Sequence, residues 1–379
     1  MMKTFAYLGS SKEGGTYRVF EVLRDGLAPR GWEGHFVNEH CLPKAVIKSD
    51  EPTVLTALSD YLSTFDVVIG NVFVSVRLMN VLRFLPDETP RIMIVHSITR
   101  ATYLAARALR DHVHHTVAVS PRIQDDLVRH HGFSGTRTSV VLNAVPDCLF
   151  HPPGAPSRVN KVGVLSLGRI EDRAKRVFLI PQMLKGIDPS LYHLTIAGDG
   201  PDRAELLRRL REAGISFDAL GIVGRENLSS TYRDHEVFLL PSRFEGFGIA
   251  AAESMASGLV TIAASIPGVT SEFIEHGKSG FLFEKADVRT AAKYLNLLLK
   301  DPEKRLAMRQ AAHDRAGELF HEASTINGYQ LILESVLVAP PIAPKNLRRW
   351  RPPIGMGPGL RGLLPAKMRS RLADMLIYR

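Results

Sequence analysis

The most informative segment of the chain joins an apolar run to an alanine-rich segment through a turn with two glycines. It reads Pro241-Ser242-Arg243-Phe244-Glu245-Gly246-Phe247-Gly248-Ile249-Ala250-Ala251-Ala252-Glu253. The apolar residues 237–240 before it predict a buried strand, and the alanines within it predict a helix. Glycines let a backbone approach a ligand closely, and amides at a helix start suit an anionic or hydroxylated ligand. The stretch therefore predicts a strand, a binding turn and a helix.

The rest of the chain repeats this alternation of short apolar runs and longer amphipathic segments, which is typical of parallel βα units. In the first half, strands are predicted near 3–8, 34–38, 66–70, 91–95, 116–119 and 138–142. In the second half, they are predicted near 161–167, 191–197, 217–223, 236–240, 259–263 and 280–283. Each half thus predicts an α/β, Rossmann-like, doubly wound domain.

A length of 379 residues exceeds what one core usually occupies, so two domains are expected. Prolines after Phe150 indicate a linker. The expected divisions are a first Rossmann-like domain at 1–150, a linker at 151–158 and a second Rossmann-like domain at 159–320. A closing helix on the second domain is expected at 321–340, and a helical or irregular basic tail at 341–379. Open α/β sheets bind ligands beyond their strand carboxyl ends, which predicts a site in a cleft between the domains.

Composition and charge narrow the class of protein. A hydrophobic share of 45% with 23% charged residues indicates a globular chain. Only two cysteines occur, which favours a reducing cytosol, and the N-terminal apolar run is too short for a signal peptide. Residues 341–379 hold nine lysines and arginines but one acidic residue, Asp374, so they carry nearly all of the net charge of +9.

The basic tail allows two interpretations. Its cations alternate with apolar side chains, which suits an anionic membrane surface. The alternative is that the tail packs back on the first domain. Nucleic acid binding has no recognisable module in the sequence. The expected location is cytoplasmic, either free or peripheral at the inner face of the membrane.

Glu245 and Glu253 are eight residues apart, one in the turn and one in the helix, so both can face one ligand. A carboxylate accepts hydrogen bonds from paired hydroxyls well. The plainer interpretation of an isolated pair would be an N-terminal cap and a solvated helical glutamate.

The E-x7-E spacing and its setting resemble the retaining GT-B enzymes of glycosyltransferase family 4. The segments 257–263, 268–274 and 277–283 repeat the family's succession of helix, strand and glycine turn. The resemblance extends over about residues 1–330 and is dense after 160. It implies a nucleotide-sugar donor, with Glu245 beside the transferred sugar and Glu253 on the ribose hydroxyls. The donor-binding turn is then Gly246, Phe247, Gly248 and Ile249.

A second candidate site follows the strand near 161–167. Arg169 leaves the end of that strand and Lys175 opens the next helix, so the two cations could grip a diphosphate and neutralise its growing charge. This resembles the family's glycine-arginine segment and phosphate-binding lysine. The chain departs from the family at Arg176, where glycine commonly follows, and Arg173 could compete for the role. Plain surface charge is the alternative.

Metal-dependent transferases need paired aspartates, and no Asp-x-Asp occurs in the chain. An arginine and lysine clamp is then sufficient, so no metal cofactor is expected. Five histidines raise the possibility of a metal site, but their spacing does not match a compact set of metal ligands. These are His112, His114, His115, His130 and His131.

Smaller signals agree with the resemblance. Gly15 lies in a glycine-bearing loop after the first strand, which the family places beside the donor phosphate. Gly224 lies at a strand end that the family places near the nucleotide base. His96 ends the strand near 91–95 and matches the family's histidine near the donor sugar, although a lone histidine there is often structural.

These features predict a retaining, metal-independent glycosyltransferase that uses a UDP- or GDP-linked sugar. Arg169 and Lys175 would hold the leaving diphosphate, Glu253 the ribose, and Glu245 with His96 the sugar. Glu245 is expected to position the sugar rather than to act as a nucleophile. The acceptor would be a saccharide or a lipid-linked molecule of envelope polysaccharide or glycolipid synthesis. The alternatives are a GT-B nucleotide-sugar epimerase or hydrolase, or a non-catalytic GT-B binding protein.

Overall fold

The computed structural model describes residues 2–9, 14–72, 75–154, 161–284 and 286–342. The chain forms two compact units. Residues 2–143 and 323–342 belong to the first unit, and residues 144–322 belong to the second. Most of the predicted basic tail, including a helix expected at 365–378, lies outside the described residues.

The first unit is built on one parallel sheet, which has six strands in the described chain. The strands β1 to β6 are Lys3–Leu8, Trp32–Val37, Val67–Asn71, Arg91–Val95, His115–Ala118 and Thr138–Val140. The helices α1 to α6 are Gly14–Leu27, Lys44–Ile47, Glu51–Leu62, Val76–Phe84, Arg100–Leu109 and Pro121–His131. β3 and β4 are buried at every position, as expected for central parallel strands covered on both faces.

The second unit is built on another parallel sheet, again with six strands among its described residues. The strands β7 to β12 are Val162–Leu167, Tyr192–Ala197, Phe217–Gly221, Val237–Leu240, Val260–Ala264 and Gly280–Phe283. The helices α7 to α15, of which the last leads into the first unit, are Asp172–Lys175, Leu179–Leu184, Arg203–Glu212, Arg225–Arg233, Ile249–Ala256, Thr270–Phe273, Val288–Lys300, Pro302–Phe320 and Glu322–Leu337. In the described part of the chain, no helix combines the length and apolarity needed to cross a bilayer.

The order of the strands fixes where each sheet can bind a ligand. The first sheet runs β2-β1-β3-β4-β5-β6, and the second runs β12-β11-β10-β7-β8-β9. The chain reverses its direction of travel across the sheet between β1 and β3, and between β7 and β10. Helices at such a reversal leave toward opposite faces and open a crevice at the strand carboxyl ends. Each sheet therefore has one preferred binding position.

The boundary between the units differs from the expected linker at 151–158. The first unit ends at Asn143, because the next residues are bound to the second unit. The amide of Val145 donates to the carbonyl of Phe320 (2.9 Å), and the Ser257 hydroxyl donates to the carbonyl of Leu149 (2.9 Å). These bonds fasten the connection to the second unit before the predicted linker begins at His151.

The closing helix also differs from its prediction. We expected α15 to complete the second domain, but from Ala323 onward it belongs to the first unit. The Thr325 hydroxyl donates to the carbonyl of Leu142 (2.8 Å). Ile326 contacts Gly26 of α1 so closely that a side chain at Gly26 would overlap it. The helix is therefore part of the first core.

A buried ion cluster ties the start of β10 to α14 in the second unit. Arg305 Nε donates to Glu236 Oε2 (2.8 Å), and Arg309 Nη1 lies 3.6 Å from the same oxygen. All three side chains are buried. Arg309 also donates to the carbonyl of Gly258 (2.7 Å), and its burial lowers the pKa of its guanidinium. One carboxylate thus serves as the shared counter-charge of two buried cations at the start of the strand that leads into the 241–253 turn.

Replacement Glu236→Gln is expected to lower the free energy of unfolding by about 3 kcal/mol, because it leaves two buried guanidinium groups without a counter-charge. Urea unfolding of the whole chain, followed by far-ultraviolet circular dichroism, measures the change. Glu303→Gln, at an exposed position of α14, is the matched control and should change stability much less. Equal effects of the two substitutions would contradict the assigned role of the cluster.

Candidate active site

The second unit contains a cavity at the reversal of its sheet. The cavity lies at the carboxyl ends of β7 and β10, and its lining includes Gly168, Arg169, Lys175 and Ser242. The sheet order makes β7 and β10 neighbours, although some seventy residues separate them in sequence. This is the crevice in which open α/β sheets hold their ligands. The two predicted binding segments therefore meet in one place.

Lys175 and Glu245 are paired directly in this cavity region. Lys175 Nζ lies 2.7 Å from Glu245 Oε1, and the Ser242 hydroxyl donates to the same oxygen at 2.7 Å. The Glu245 side chain is 8% exposed, whereas that of Lys175 is 30% exposed. A nearly buried carboxylate needs both a counter-charge and hydrogen bonds. Lys175 and Ser242 supply them.

Backbone contacts hold the two binding segments against each other. The amides of Arg243 and Phe244 both donate to the carbonyl of Ala174, at 2.8 and 3.2 Å. These bonds join the turn after β10 to the short helix α7. They keep the backbone of Lys175 close to Glu245 in every rotamer of the lysine side chain. The pairing of the two side chains is therefore built on a fixed backbone.

Arg169 lines the same cavity but points toward solvent. Its side chain is 69% exposed, and its Nε lies 3.2 Å from Glu171 Oε2. An exposed ion pair contributes little stability, so the guanidinium can turn toward an arriving anion at small cost. Among the described residues that line the cavity, Arg169 and Lys175 are present and Arg173 is not. The geometry favours the first two for the predicted clamp.

Arg176 occupies the position at which the chain departs from the family pattern. Its backbone is left-handed, with φ of 47° and ψ of 41°, where it ends α7. Glycine adopts this conformation freely, but another residue pays about 1 kcal/mol. The left-handed backbone explains why glycine is common at this position in the family. Arg176 adopts the same backbone conformation with some strain.

Glu253 has a separate hydroxyl partner. It is 6% exposed within α11, and the Tyr232 hydroxyl of α10 donates to its Oε2 at 2.9 Å. Tyr232 is fully buried, so its ring cannot easily move away. The carboxylate of Glu253 is thereby held in one orientation. The structure places it one helix turn beyond the start of α11, as the spacing predicted.

The turn residues differ in what they can offer a ligand. Gly248 precedes α11 with φ of 91°, a conformation that strongly favours glycine. Gly246 and Ile249 are partly exposed. The Phe247 ring is instead 4% exposed and packs on Phe320, with centroids 5.6 Å apart. Phe247 can therefore meet a donor through its backbone alone.

Gly224 is the N-terminal cap of α10, and the Glu226 carboxylate lies against it. In the first unit, Gly15 is exposed in the first turn of α1. Both glycines lie after strand ends, as predicted, but their contacts reveal no chemistry of their own.

His96 follows β4 in the first unit and is held by a buried amide. Its Nε2 lies 2.7 Å from Asn71 Oδ1, and Asn71 is 2% exposed at the end of β3. Desolvation of the ring lowers the pKa of His96 to about 4, because burial disfavours the charged imidazolium. His96 is therefore neutral at physiological pH.

Three of the five histidines considered for a metal site have structural contacts. His114 Nδ1 accepts from the Arg91 amide (3.1 Å), and His115 Nε2 lies 2.9 Å from the Ser139 hydroxyl. The His131 ring packs on Tyr103, with centroids 4.6 Å apart. Across the described ranges, no group of three or more His, Cys, Asp or Glu residues could hold a metal ion.

Comparison with known families bears on this geometry. Residues 152–315 match the family model of the group 1 glycosyl transferases. The match lies within the second unit and contains Arg169, Lys175, Glu245 and Glu253. It confirms the predicted resemblance to a group 1 GT-B glycosyltransferase.

Curated relatives carry transferase and synthase names. The chain is 30% identical over 144 residues to N-acetyl-alpha-D-glucosaminyl L-malate synthase of Bacillus anthracis, which covers 38% of each chain. It is 32% identical over 148 residues to the sulfoquinovosyl transferase SQD2 of Arabidopsis thaliana, covering 38% of this chain and 29% of that protein. The chain thus spans about a third of the length of these relatives.

Solved structures resemble the chain over most of its length. HepE of Anabaena, solved with UDP, is 18% identical, with a TM-score of 0.73 over 88% of this chain and 100% of that one. Sucrose-phosphate synthase of Thermosynechococcus elongatus is 20% identical, with a TM-score of 0.74 over 89% and 100%. These likenesses and the two six-stranded sheets confirm the predicted GT-B fold class.

Four residues of the candidate site were missed by sequence reasoning. Ser242 stands in the quoted stretch, but only its contact with Glu245 gives it a role. Tyr232, Asn71 and Tyr7 bond to predicted residues or their partners from other elements. A polar residue at the end of a buried strand was the available signal for Asn71.

The Lys175 and Glu245 pair is expected to stabilise the fold measurably. A double-mutant cycle of Lys175→Met and Glu245→Gln should give a coupling free energy of about 1 kcal/mol in urea unfolding, because the carboxylate is nearly buried. Lys278 and Glu275 form an exposed pair with the same 2.7 Å separation and serve as the matched control. The control coupling should be much smaller, and equal couplings would show that burial of Glu245 contributes nothing.

Proposed function

We propose that the protein is a retaining, metal-independent glycosyltransferase that transfers a sugar from a nucleoside-diphosphate donor. The observation that carries the proposal is the Lys175, Glu245 and Ser242 arrangement at the reversal of the second sheet. It lies within the region that matches the group 1 glycosyl transferases. A cation, a carboxylate and a flexible arginine in one crevice suit a diphosphate joined to a sugar.

Donor binding is expected to change the partners of Lys175. A diphosphate carries more charge than one carboxylate, so it would draw the Lys175 ammonium toward itself and recruit Arg169 from solvent. Glu245 would keep the Ser242 hydroxyl as its donor and accept from a hydroxyl of the transferred sugar. Glu253, held by Tyr232, would accept from the ribose hydroxyls. Gly15, Gly224 and the 246–249 turn would approach the donor through their backbones.

The proposed chemistry keeps the configuration of the anomeric carbon. The bond from the anomeric carbon to the leaving phosphate oxygen breaks, and the acceptor oxygen bonds to the same face of that carbon. The acceptor proton passes to the departing phosphate, so no enzymic base is required. Lys175 and Arg169 stabilise the charge that grows on the phosphate. Glu245 and His96 position the sugar.

Independence from metal is proposed on chemical grounds. In metal-dependent transfer, a divalent ion neutralises the diphosphate and is held by the paired aspartates of an Asp-x-Asp motif, which does not occur in the sequence. Two side-chain cations at the strand ends supply equivalent charge. Neither cation depends on a bound ion for its place, because Lys175 is held by Glu245 and Arg169 can turn from its exposed contact with Glu171 toward the diphosphate.

We further propose that the acceptor is a saccharide or a lipid-linked molecule of envelope polysaccharide or glycolipid synthesis, and that the protein acts in the cytoplasm at the membrane. The charge of residues 345–379 supports this placement, since each cation near an anionic surface contributes about 1 kcal/mol. A saccharide acceptor requires no membrane, so the donor proposal does not depend on the tail.

A nucleoside diphosphate is expected to stabilise the protein against thermal unfolding. UDP is the first probe, because HepE of Anabaena was solved with it, and GDP is the second. At 100 times its dissociation constant, a ligand adds about 2.7 kcal/mol, which a thermal shift resolves. EDTA should leave the shift unchanged. Glu253→Ala should abolish most of it, whereas Glu303→Ala, exposed on α14, should not.

The same titration, together with a product assay without any acceptor, separates the alternatives. A shift with neither nucleotide would contradict the donor site and favour a non-catalytic GT-B protein. A shift that requires a divalent ion would overturn the metal-independent mechanism and leave the donor site standing. Sugar release or rearrangement without any acceptor would point to a hydrolase or an epimerase.

Turnover of the matching nucleotide sugar should depend strongly on Lys175. Replacement Lys175→Ala removes a cation beside the leaving group and should lower kcat by about a hundredfold or more. Lys278→Ala, an exposed lysine of the same unit, should leave kcat unchanged. Proton NMR of the product should show the anomeric configuration of the donor. An inverted product would exclude the retaining mechanism.

A further inference from the structure

A buried hydrogen-bond network joins the carboxyl ends of three strands of the first unit. The Tyr7 hydroxyl of β1 lies 3.2 Å from Asn71 Oδ1 and 2.9 Å from the carbonyl of Thr16 in α1. Asn71 ends β3, and its Oδ1 also meets His96 Nε2 at 2.7 Å. Tyr7 is fully buried and Asn71 is 2% exposed. The network thus spans the reversal of the first sheet and reaches His96.

The orientation of the Asn71 amide follows from its third contact. Asn71 Nδ2 donates to the carbonyl of Leu8 at 2.7 Å. A backbone carbonyl only accepts, so the nitrogen of the amide must face Leu8 and the oxygen must face His96. Because Oδ1 also only accepts, the ring nitrogen opposite it must carry a proton. His96 is therefore protonated at Nε2.

Whether the second ring nitrogen, Nδ1, carries a proton then depends on whether His96 is neutral or charged. Desolvation lowers the pKa of His96 to about 4, and neither its partner Asn71 nor the Tyr7 hydroxyl that bonds to Asn71 brings a negative charge that would offset this. Burial raises the pKa of the Tyr7 hydroxyl, so this group stays protonated as well. A neutral imidazole with a proton on Nε2 has a bare lone pair on Nδ1. Among the described residues, no hydrogen-bond partner occupies that lone pair.

We propose that Asn71 is a positioning residue that holds His96 as the neutral Nε2-protonated tautomer, so that Nδ1 accepts a hydrogen bond from a hydroxyl group of the transferred sugar. The part that concerns the sugar rests on the proposed function, whereas the tautomer does not. A fixed acceptor selects for a hydroxyl at one position of the sugar ring. It also keeps a positive charge away from the anomeric carbon, which itself becomes positive as the glycosidic bond breaks.

The alternative roles of His96 make different demands. A general base would need a pKa near the working pH, and a phosphate ligand would need the charged imidazolium. The hydrogen bond to a neutral amide promotes neither, whereas a carboxylate at position 71 would raise the pKa of His96. An asparagine at position 71 therefore keeps His96 neutral, whereas an aspartate there would favour the charged imidazolium.

The test uses the full-length protein labelled with ¹⁵N-histidine, and long-range proton–nitrogen NMR at pH 7. His96 is assigned by the loss of its signals in His96→Gln. We expect protonated Nε2 and unprotonated Nδ1 in the wild type. Asn71→Asp should convert His96 to the doubly protonated form. Ser139→Ala removes the partner of His115 and should leave His96 unchanged.

The kinetic arm compares the same variants with the nucleotide sugar. Asn71→Asp should lower kcat by about tenfold, the effect of one hydrogen bond, while the dissociation constant of the free nucleoside diphosphate stays the same. The free nucleotide has no sugar and so cannot sense His96. Ser139→Ala should change neither quantity.

The outcomes separate the inference from the proposed function. An Nδ1-protonated or charged His96 in the wild type would overturn the inference, and this measurement needs no variant of Asn71, only the His96→Gln protein for the assignment. A folded Asn71→Asp protein with wild-type kcat would also overturn it. The expected tautomer in a protein that turns over no nucleotide sugar would refute the proposed function and leave the role of Asn71 toward His96 intact.

Discussion

Parallel pairing sends the carboxyl ends of all strands in a sheet to one edge, and the strand order decides which of those ends become neighbours. In the second unit the order places β7 beside β10, so the segment after Leu167 meets the segment after Leu240. In the first unit it places β1 beside β3. Both candidate sites lie at these reversals because helices there depart to opposite faces and leave the edge open.

An open edge exposes ionisable groups to a poorly solvated crevice, so each group needs a partner when no ligand is bound. The two units meet this need in different ways. Glu245 is paired with the ammonium of Lys175, which a stronger anion can draw away. His96 avoids the cost by remaining neutral. Under the proposed function, the first arrangement can open toward the leaving diphosphate, whereas the second stays fixed to recognise the sugar.

Much of this arrangement was predictable, because the determinants are local. Apolar runs bounded by glycines predicted the strands, and the E-x7-E spacing indicated the turn and helix that hold Glu245 and Glu253. The supporting residues were not predictable, since a serine or a tyrosine acquires its role only from a partner on another element. The helix α15 was assigned to the wrong unit for the same reason. Its amphipathic pattern shows that one face is buried but not against which core.

The supporting residues Ser242 and Asn71 have similar positions in their units, which the motif spacing in the sequence does not show. Ser242 follows β10 and orients Glu245, and Asn71 ends β3 and orients His96. In each unit, a short neutral side chain near the end of a strand beside the reversal holds a longer side chain that we propose acts on the donor. Short side chains have few rotamers, so little entropy is lost in holding them, and their position is set by the strand itself. Rigid sheet edges can therefore define the geometry of a site whose ionisable residues stand on turns and helices.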